Sequence, residues 1–238
     1  MKKTSDCPPI VAIDGPSGAG KSTISRMLAR RLNFTHIDTG AMYRCIALAA
    51  LRRGIDPGDE AALAELCEQV RIDFMRRDGQ QRVILDGEDV SGEIRTPAVS
   101  LLTSRVSSVA AVRDKMVAMQ REMGREGGVV LEGRDIGSVV FPDAGIKFFL
   151  TASAQERGAR RYRELREQGH EVDLRQTIEE VVSRDEADSS RQHSPLTQAE
   201  DAILVDSTDM TIEQVVEMMA RRVRSLGRDT GCMGGESA

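Results

Sequence analysis

The sequence has no tryptophan, and only two tyrosines and five phenylalanines. Aromatic platforms on which nucleic-acid bases could stack are therefore scarce. A basic excess is also absent, because 38 acidic side chains outnumber 33 lysines and arginines and the net charge is −5. Sequence-independent nucleic-acid binding needs a basic face. We therefore expect no nucleic-acid partner.

Long hydrophobic runs are missing too, and none approaches the roughly 20 residues of a membrane-spanning helix. The N-terminal sequence MKKTSDCPPI has two lysines but lacks the apolar segment of a signal peptide. The four cysteines are scattered, and with three histidines they form no metal-ligand spacing. Isolated thiols fit a reducing compartment. We expect a cytoplasmic protein with no membrane partner.

Strand and helix patterns alternate along most of the chain. Helices between successive strands imply parallel strands joined by crossovers, and continuous apolar runs such as VVL and ILV fit a sheet covered on both faces. The sequence therefore predicts an α/β fold with a parallel sheet flanked by helices. An apolar stripe after Thr96 and Pro97 predicts one long helix ending near Gly124. Another helix is expected at about 174–184, and the polar run that follows it, to residue 196, is interpreted as a loop.

A hairpin-rich stretch interrupts this alternation, with turns expected at Asp78-Gly79 and at Asp86-Gly87. We interpret it as a small strand-containing insert on the core. The predicted boundaries are 8–58 and 97–227 for the core, 59–96 for the insert and 228–238 for a flexible tail.

The stretch IDGPSGAGKST, residues 13–23, matches the pattern G-x-x-x-x-G-K-[ST] of a P-loop, and lies between an apolar strand and a helix. Glycines allow the backbone N–H groups to curl around phosphate oxygens, and the helix N-terminus adds partial positive charge. Lys21 can reach the β- and γ-phosphates, and the Ser22 hydroxyl can bind Mg²⁺. The predicted ATP site consists of Gly15, Pro16, Ser17, Gly18, Ala19, Gly20, Lys21, Ser22 and Thr23.

Two other P-loop classes fit poorly. A GTPase needs a base-reading N-K-x-D, but the one asparagine, Asn33, is followed by Phe34. A mechanical ATPase usually needs an apolar strand ending in two adjacent acids, and VVLEGRD offers Glu132 alone. Of the P-loop classes considered, a kinase acting on a phosphorylated acceptor fits the sequence best.

Arginines follow two predicted strands, Arg44 in DTGAMYR and Arg134 in EGRDIG. Ligands of open α/β sheets bind outside the carboxyl ends of the strands, and the arginine fork suits phosphate. We therefore favour a second phosphate site over two solvated surface arginines. Arg157, Arg160 and Arg161 share one face of a predicted helix, which is either a lid at about 155–170 that excludes water or a solvated helix.

The motifs IDGPSGAGKST, DTGAMYR, DGEDVSGEIRT, EGRDIGSVVFPDA and LVDST together resemble the bacterial cytidylate kinases (CMP/dCMP kinases), over about residues 10–219. The resemblance implies ATP-dependent phosphorylation of CMP and dCMP to CDP and dCDP, with Mg²⁺. It also implies a P-loop NTPase-type core, an NMP-binding role for the insert and a short lid. Direct in-line transfer without a covalent intermediate is the expected mechanism.

The resemblance also implies roles for individual residues. Positions matching Ser104, Arg113 and Asp135 contact the cytosine, and Ser104 and Arg113 are expected on one side of the long helix. The implied CMP site comprises Thr39, Tyr43, Arg44, Ser104, Arg113, Arg134, Asp135, Arg184, Asp188 and Arg191. The expected catalytic cations are Lys21, Arg134, Arg157 and Arg160, and Glu132 and Asp38 are weaker candidates for holding Mg²⁺ beside Ser22.

The chain departs from the family pattern at three positions. Glu132 stands where relatives often carry aspartate, Thr39 where serine is common, and Ser22 where some have glycine. Two other functions stay open: a P-loop kinase for another small acceptor, such as UMP or a sugar acid, and a non-catalytic nucleotide sensor. We expect a monomer whose partners are ATP and CMP or dCMP.

Overall fold

The alternation of strands and helices is present in the computed structural model, which describes residues 7–77, 80–167, 169–191 and 193–229. The strands are β1 (Ile10–Asp14), β2 (Thr35–Asp38), β3 (Ile72–Arg77), β4 (Gln80–Leu85), β5 (Glu88–Asp89), β6 (Val129–Gly133), β7 (Ile146–Thr151) and β8 (Ile203–Asp206). The helices are α1 (Lys21–Leu32), α2 (Thr39–Arg53), α3 (Glu60–Gln69), α4 (Pro97–Val106), α5 (Ala110–Gly124), α6 (Ala154–Glu167), α7 (Leu174–Ser189) and α8 (Ile212–Asp229).

The chain divides into two units, one containing the residues up to His36 and from Gly124 onward, the other Ile37–Met123. The second unit contains the stretch 59–96 that the sequence predicts as an insert. The boundaries of that insert and of the lid at about 155–170 stay predictions.

A five-stranded sheet has the order β2-β6-β1-β7-β8, and all of its strands except the last two residues of β2 belong to the first unit. Strand β1 pairs in parallel with both β6 and β7, and β7 pairs in parallel with β8. The predicted α/β class with a parallel sheet is thus confirmed. Because Asp14 is in register with Gly133, the carboxyl ends of β1 and β6 lie side by side, and the loops that follow them begin at the same edge.

Apolar side chains from the sheet and from α1 and α8 form the core of the first unit. Ile13, Leu28 and Phe148 are almost completely buried there. Helix α8 begins with a capping box, since Thr211 Oγ1 accepts from Gln214 N at 3.2 Å while Gln214 Oε1 accepts from Thr211 N at 2.9 Å. The helix continues to Asp229, so it includes the first two residues of the predicted tail, and 230–238 lie outside the described residues.

The second unit contains a three-stranded antiparallel sheet, β3-β4-β5, and its core includes Met42, Ile46 and Leu66. The predicted turn at Asp86-Gly87 is confirmed, with φ of 51° and 89° at its two residues. The predicted turn at Asp78-Gly79 lies outside the described residues.

The prediction of one long helix after Pro97 is wrong, because α4 ends at Val106 and α5 begins at Ala110. The Ser107 and Ser108 hydroxyls donate to the carbonyls of Ser104 and Arg105, at 3.2 and 2.7 Å. Such side-chain bonds compete with the helical hydrogen-bond ladder. The apolar stripe is still buried across the break, through Val99, Val106, Val109, Val112 and Met116.

The predicted helix at about 174–184 is longer in the structure, since α7 runs to Ser189. The interpretation of the polar run as a loop is therefore wrong for residues 185–189, which include Asp188. The last buried apolar residue of this helix is Val181, and one face beyond it is buried through Asp188, which is 2% exposed. A buried face made of a charged group has no apolar period, so the helical pattern is invisible in the sequence. Within the described ranges, no helix is long and apolar enough to cross a membrane.

Candidate active site

The loop between Asp14 and Lys21 has a backbone that depends on glycine. Gly15, Gly18 and Gly20 have positive φ angles of 148°, 74° and 88°. Residues that carry a Cβ rarely adopt such angles. A Cβ on Gly15 would also lie 2.0 Å from the carbonyl oxygen of Leu150. The loop therefore keeps a tight curve directly before the N-terminus of α1, where backbone N–H groups favour anions.

Lys21 is buried at the start of α1, and its Nζ donates to the carbonyl oxygens of Gly15 and Pro16 at 2.7 and 2.6 Å. Burial lowers the pKa of Lys21 well below its usual value, and the positive charge of Arg134 lowers it further, whereas Glu132 acts in the opposite direction. The ammonium group is therefore held against the loop in a site that already contains other charges.

Ser22, the next residue of α1, donates through Oγ to Glu132 Oε2 at 2.9 Å. The other oxygen of Glu132 lies 3.0 Å from His36 Nε2 and accepts from Ser25 Oγ at 3.1 Å. Burial alone would raise the pKa of Glu132, but the hydrogen bond and charge of His36 and the charge of Lys21 bring it below its usual value. Glu132 is thus a fixed, buried carboxylate at the end of β6.

A hydroxyl and a carboxylate oxygen at this point are the kind of ligands that Mg²⁺ takes from proteins. Among the described residues, no group of three or more His, Cys, Asp or Glu side chains is arranged to hold a metal ion. Mg²⁺ usually keeps several waters and binds through substrate phosphates plus one or two protein oxygens. Ser22 and Glu132 fit that sparse donor set.

Asp14, the last residue of β1, accepts from the backbone N–H groups of Ile136 and Gly137 at 2.8 and 2.7 Å. These bonds fix the start of a short π-helical turn, Ile136–Val140, next to the P-loop. Burial raises the pKa of Asp14 from its usual 3.8 to about 6, against the lowering effect of the two N–H groups and of Lys21. Asp14 links the P-loop strand to the segment that follows β6.

We expect the Asp14 carboxyl to titrate with a midpoint near pH 6, measured by NMR of the carboxyl carbon. The folded chain then binds this proton more tightly than the unfolded chain. The stabilisation is full below about pH 4 and is lost as pH rises through 6, by roughly 3 kcal/mol for Asp14 alone. A Lys21→Met variant should raise the midpoint because it removes a nearby positive charge. A midpoint near 4 in the unmodified chain would contradict the expected burial effect.

Arg134 follows β6 and donates from Nε to Asp188 Oδ2 at 2.7 Å. Arg191 pairs with the other oxygen of Asp188. Burial would raise the pKa of Asp188, but the charges of Arg134 and Arg191 hold it below its usual value. Arg184 also acts on Asp188 and on Lys21 through its charge. Four residues predicted for the CMP site therefore lie together and near Lys21: Arg134, Arg184, Asp188 and Arg191.

Asp135, predicted to contact cytosine, is 4% exposed and lies between Arg134 and the π-helical turn. Its charge raises the pKa of Asp14, which places its carboxylate near the P-loop strand.

Two of the three predicted lid arginines contact the P-loop backbone. Arg157 is buried and donates to the Ser17 carbonyl at 2.9 Å. Arg160 donates to the carbonyl of Ala19 at 3.4 Å and to the Ser207 hydroxyl at 3.1 Å. Arg161 instead forms an ion pair with Glu164 on the same helix. The interpretation as a lid stays a prediction.

The other predicted acceptor residues belong to the second unit. Arg44 donates to Ser100 Oγ at 2.7 Å and to the Ile94 carbonyl at 3.2 Å. Asp38, a weak candidate for Mg²⁺, caps the N-terminus of α2 by accepting from Ala41 N at 3.0 Å. The residue after it, Thr39, is buried.

Arg113 lies with its guanidinium 5.4 Å from the centre of the Tyr43 ring, a cation–π contact. It also donates to the Ser107 carbonyl at 3.1 Å. Arg113 is buried whereas Ser104 is exposed. The expectation that both share one side of a single helix is wrong, because α4 and α5 are separate.

Sequence reasoning missed four residues of the first unit: Asp14, Ser25, His36 and Asp185. Asp185 accepts from Ser17 N at 2.9 Å, and its spacing of three from Asp188 would have indicated a shared face once 183–189 was recognised as helical. His36 and Ser25 carry no pattern of their own, because their role comes from the crossover that brings β2 beside β6.

The chain is similar in sequence to known proteins. The sequence profile of the cytidylate kinase family matches residues 11–225. Cytidylate kinase of Syntrophotalea carbinolica is 61% identical over 90% of this chain and 91% of its own length. Cytidylate kinase of Geobacter sulfurreducens is 58% identical over 93% and 95%.

A crystal structure of an uncharacterized protein from Eubacterium ventriosum is similar in fold, with a TM-score of 0.52 and 12% identity over 91% of this chain and 99% of that one. At that identity the likeness concerns the fold alone. The match of the family profile over most of the chain and the two close relatives decide the classification. The chain belongs to the cytidylate kinase family.

Proposed function

We propose that this protein transfers the γ-phosphoryl group of ATP directly to the phosphate of CMP or dCMP. The observation that carries the proposal is the cluster in the first unit, where a P-loop with a buried lysine lies near Arg134 and its partners Asp188 and Arg191. A kinase for a phosphorylated acceptor must bring two polyanions together, and such an array of cations offsets their repulsion.

The donor phosphates bind the N–H groups of the loop and the N-terminus of α1, with Lys21 beside the β- and γ-phosphates. Arg134 and Arg191, oriented by Asp188, hold the acceptor phosphate, and the array of Lys21, Arg157 and Arg160 balances the charge of the transferred group. The attacking oxygen is already anionic, so no general base is required. Arg44, predicted for the acceptor phosphate, is assigned the same role from the family pattern.

Mg²⁺, when bound with ATP, neutralises phosphate charge. Ser22 would hold the ion, with Glu132 orienting the Ser22 hydroxyl. Asp38 is a weaker candidate, because its carboxylate already caps α2.

Base selectivity follows from hydrogen-bond polarity. Cytosine presents an amino donor beside an acceptor nitrogen, and uracil presents the reverse. We assign Asp135 to the amino group and Arg113 and Ser104 to the acceptors. Uracil would mismatch the buried Asp135 and Arg113 side chains, and an unpaired buried polar group costs about 1–3 kcal/mol. Thr39, Tyr43 and Arg184 complete the proposed set for sugar and phosphate.

We expect the enzyme to work as a cytoplasmic monomer without a nucleic-acid partner. The functional test is ADP release in a coupled assay with ATP, Mg²⁺ and each nucleoside monophosphate in turn. CMP and dCMP should be preferred over UMP by about 10- to 100-fold in kcat/KM, and EDTA should abolish turnover. A preference for UMP would reject the base assignment, and binding of ATP and CMP without ADP release would reject catalysis.

A further inference from the structure

Asp185 on α7 contacts the P-loop directly. One carboxylate oxygen, Oδ1, accepts from the backbone N–H of Ser17 at 2.9 Å. The other oxygen forms an ion pair with Arg157. Neither the sequence motif of the P-loop nor the family resemblance assigns a role to Asp185.

Arg157 contacts the same peptide segment from α6. Its Nη1 donates to the Ser17 carbonyl at 2.9 Å, and its Nε donates to the Ala152 carbonyl at 2.9 Å. The N–H and the C=O of Ser17 are thus both occupied, one by Asp185 and the other by Arg157. An oppositely charged pair therefore fixes the orientation of this residue within the loop.

Helices α6 and α7 pack closely enough to make this arrangement stiff. A Cβ on Gly158 would lie 2.3 Å from Ile178 Cγ1, so glycine is required where the two helices meet. Gly18 of the loop also lies against α6, since a Cβ there would lie 2.7 Å from the Arg157 carbonyl oxygen. Movement of the α6 or α7 backbone at Arg157 and Asp185 away from Ser17 would therefore require displacement of a packed helix pair.

Asp185 and Asp188 are three residues apart, and residues at this spacing are neighbours on a helix surface. Asp185 faces the donor loop and Arg157, whereas Asp188 holds Arg134 and Arg191. We propose that Asp185 is a positioning residue for the phosphoryl donor, which sets the P-loop at Ser17 and holds Arg157 beside it. One helix then orients the donor side through Asp185 and the acceptor cations through Asp188. This inference rests on the proposed function.

The test compares Asp185→Ala and Asp185→Asn with Glu186→Gln in the full-length chain. Asparagine can still accept from Ser17 N–H but cannot form the ion pair, whereas alanine loses both contacts. Glu186 is the exposed neighbour on α7, so its glutamine variant changes charge without touching the loop. We expect kcat/KM for ATP to fall about 10-fold in Asp185→Asn and about 100-fold in Asp185→Ala, since small misplacements of reacting groups have effects of this size.

The effect should be specific to the donor. The KM for CMP should stay within about twofold of the control value in both Asp185 variants, because Asp185 does not hold the acceptor cations. Asp188→Asn should raise this KM, because Asp188 orients Arg134 and Arg191, and misplaced binding groups have large effects. Combining Asp185→Asn with Arg157→Gln should cost no more than the larger single change, because one ion pair is removed in each case. Independent losses would reject the pairing of Asp185 with Arg157.

Equilibrium binding of ATP, measured by calorimetry, separates this inference from the proposed function. If the unmodified chain fails to phosphorylate CMP, the proposed function fails, yet Asp185→Ala should still weaken ATP binding relative to Glu186→Gln. The role of Asp185 would be overturned if both Asp185 variants unfold at the same temperature as the control and keep ATP affinity and kcat/KM for ATP within about twofold of it. Asp185→Asn decides the question should the alanine variant fail to fold.

Discussion

Replacing Lys21 with alanine is expected to lower kcat by about 10³-fold, the upper range for loss of one group that stabilises transition-state charge. The ammonium group is buried beside the loop, and its bonds to the Gly15 and Pro16 carbonyls already place it at the N-terminus of α1. A preorganised cation in such a site needs little rearrangement when charge develops on the transferred group.

The KM for CMP should change far less, because the acceptor cations are held by Asp188 and not by Lys21. Steady-state kinetics with ATP and CMP each varied provides the measurement. Lys115→Ala is a suitable control, since Lys115 is paired with Glu68 in the second unit and has no assigned function. Turnover of the Lys21 variant near that of the control would remove Lys21 from the mechanism.

The P-loop could be predicted from the sequence because every part of it is local. A run of glycines, a lysine and the flanking apolar strand are all visible within about fifteen residues, and the structure needs those glycines for φ and for space at Leu150. The parallel sheet was predictable for a related reason, since strands buried on both faces are continuous apolar runs.

The remainder depends on contacts between distant segments. Asp185 and Asp188 belong to a helix whose buried face continues as charge after Val181, so apolar periodicity gives no signal there. The break between α4 and α5 depends on two serine hydroxyls that bond to nearby carbonyls. The sequence does not indicate which of its many arginines contact the P-loop, because that depends on the packing of α6 against Ser17 and Ala19.

Replacing Arg134 with methionine is expected to lower kcat/KM for CMP by about 10²- to 10³-fold, because a preorganised cation for the acceptor phosphate is lost. The same change should destabilise the fold by roughly 1–3 kcal/mol, since the buried Asp188 carboxylate loses one of its two hydrogen-bonded guanidinium partners. Asp188 is only 2% exposed, and of its two hydrogen-bonded ion pairs it would keep the one with Arg191. Chemical denaturation and kinetics measure the two effects separately.

The double variant Arg134→Met/Asp188→Asn separates a catalytic loss from a folding defect. Each single change removes the same Arg134–Asp188 ion pair, so the two losses in free energy of unfolding should not add in the double variant. The losses in kcat/KM for CMP should differ between the single variants, because Asp188→Asn keeps both guanidiniums whereas Arg134→Met removes one from the acceptor phosphate. If the two single variants lose kcat/KM for CMP equally, in proportion to their losses of stability, Arg134 acts only in the fold and the acceptor phosphate is held by other residues.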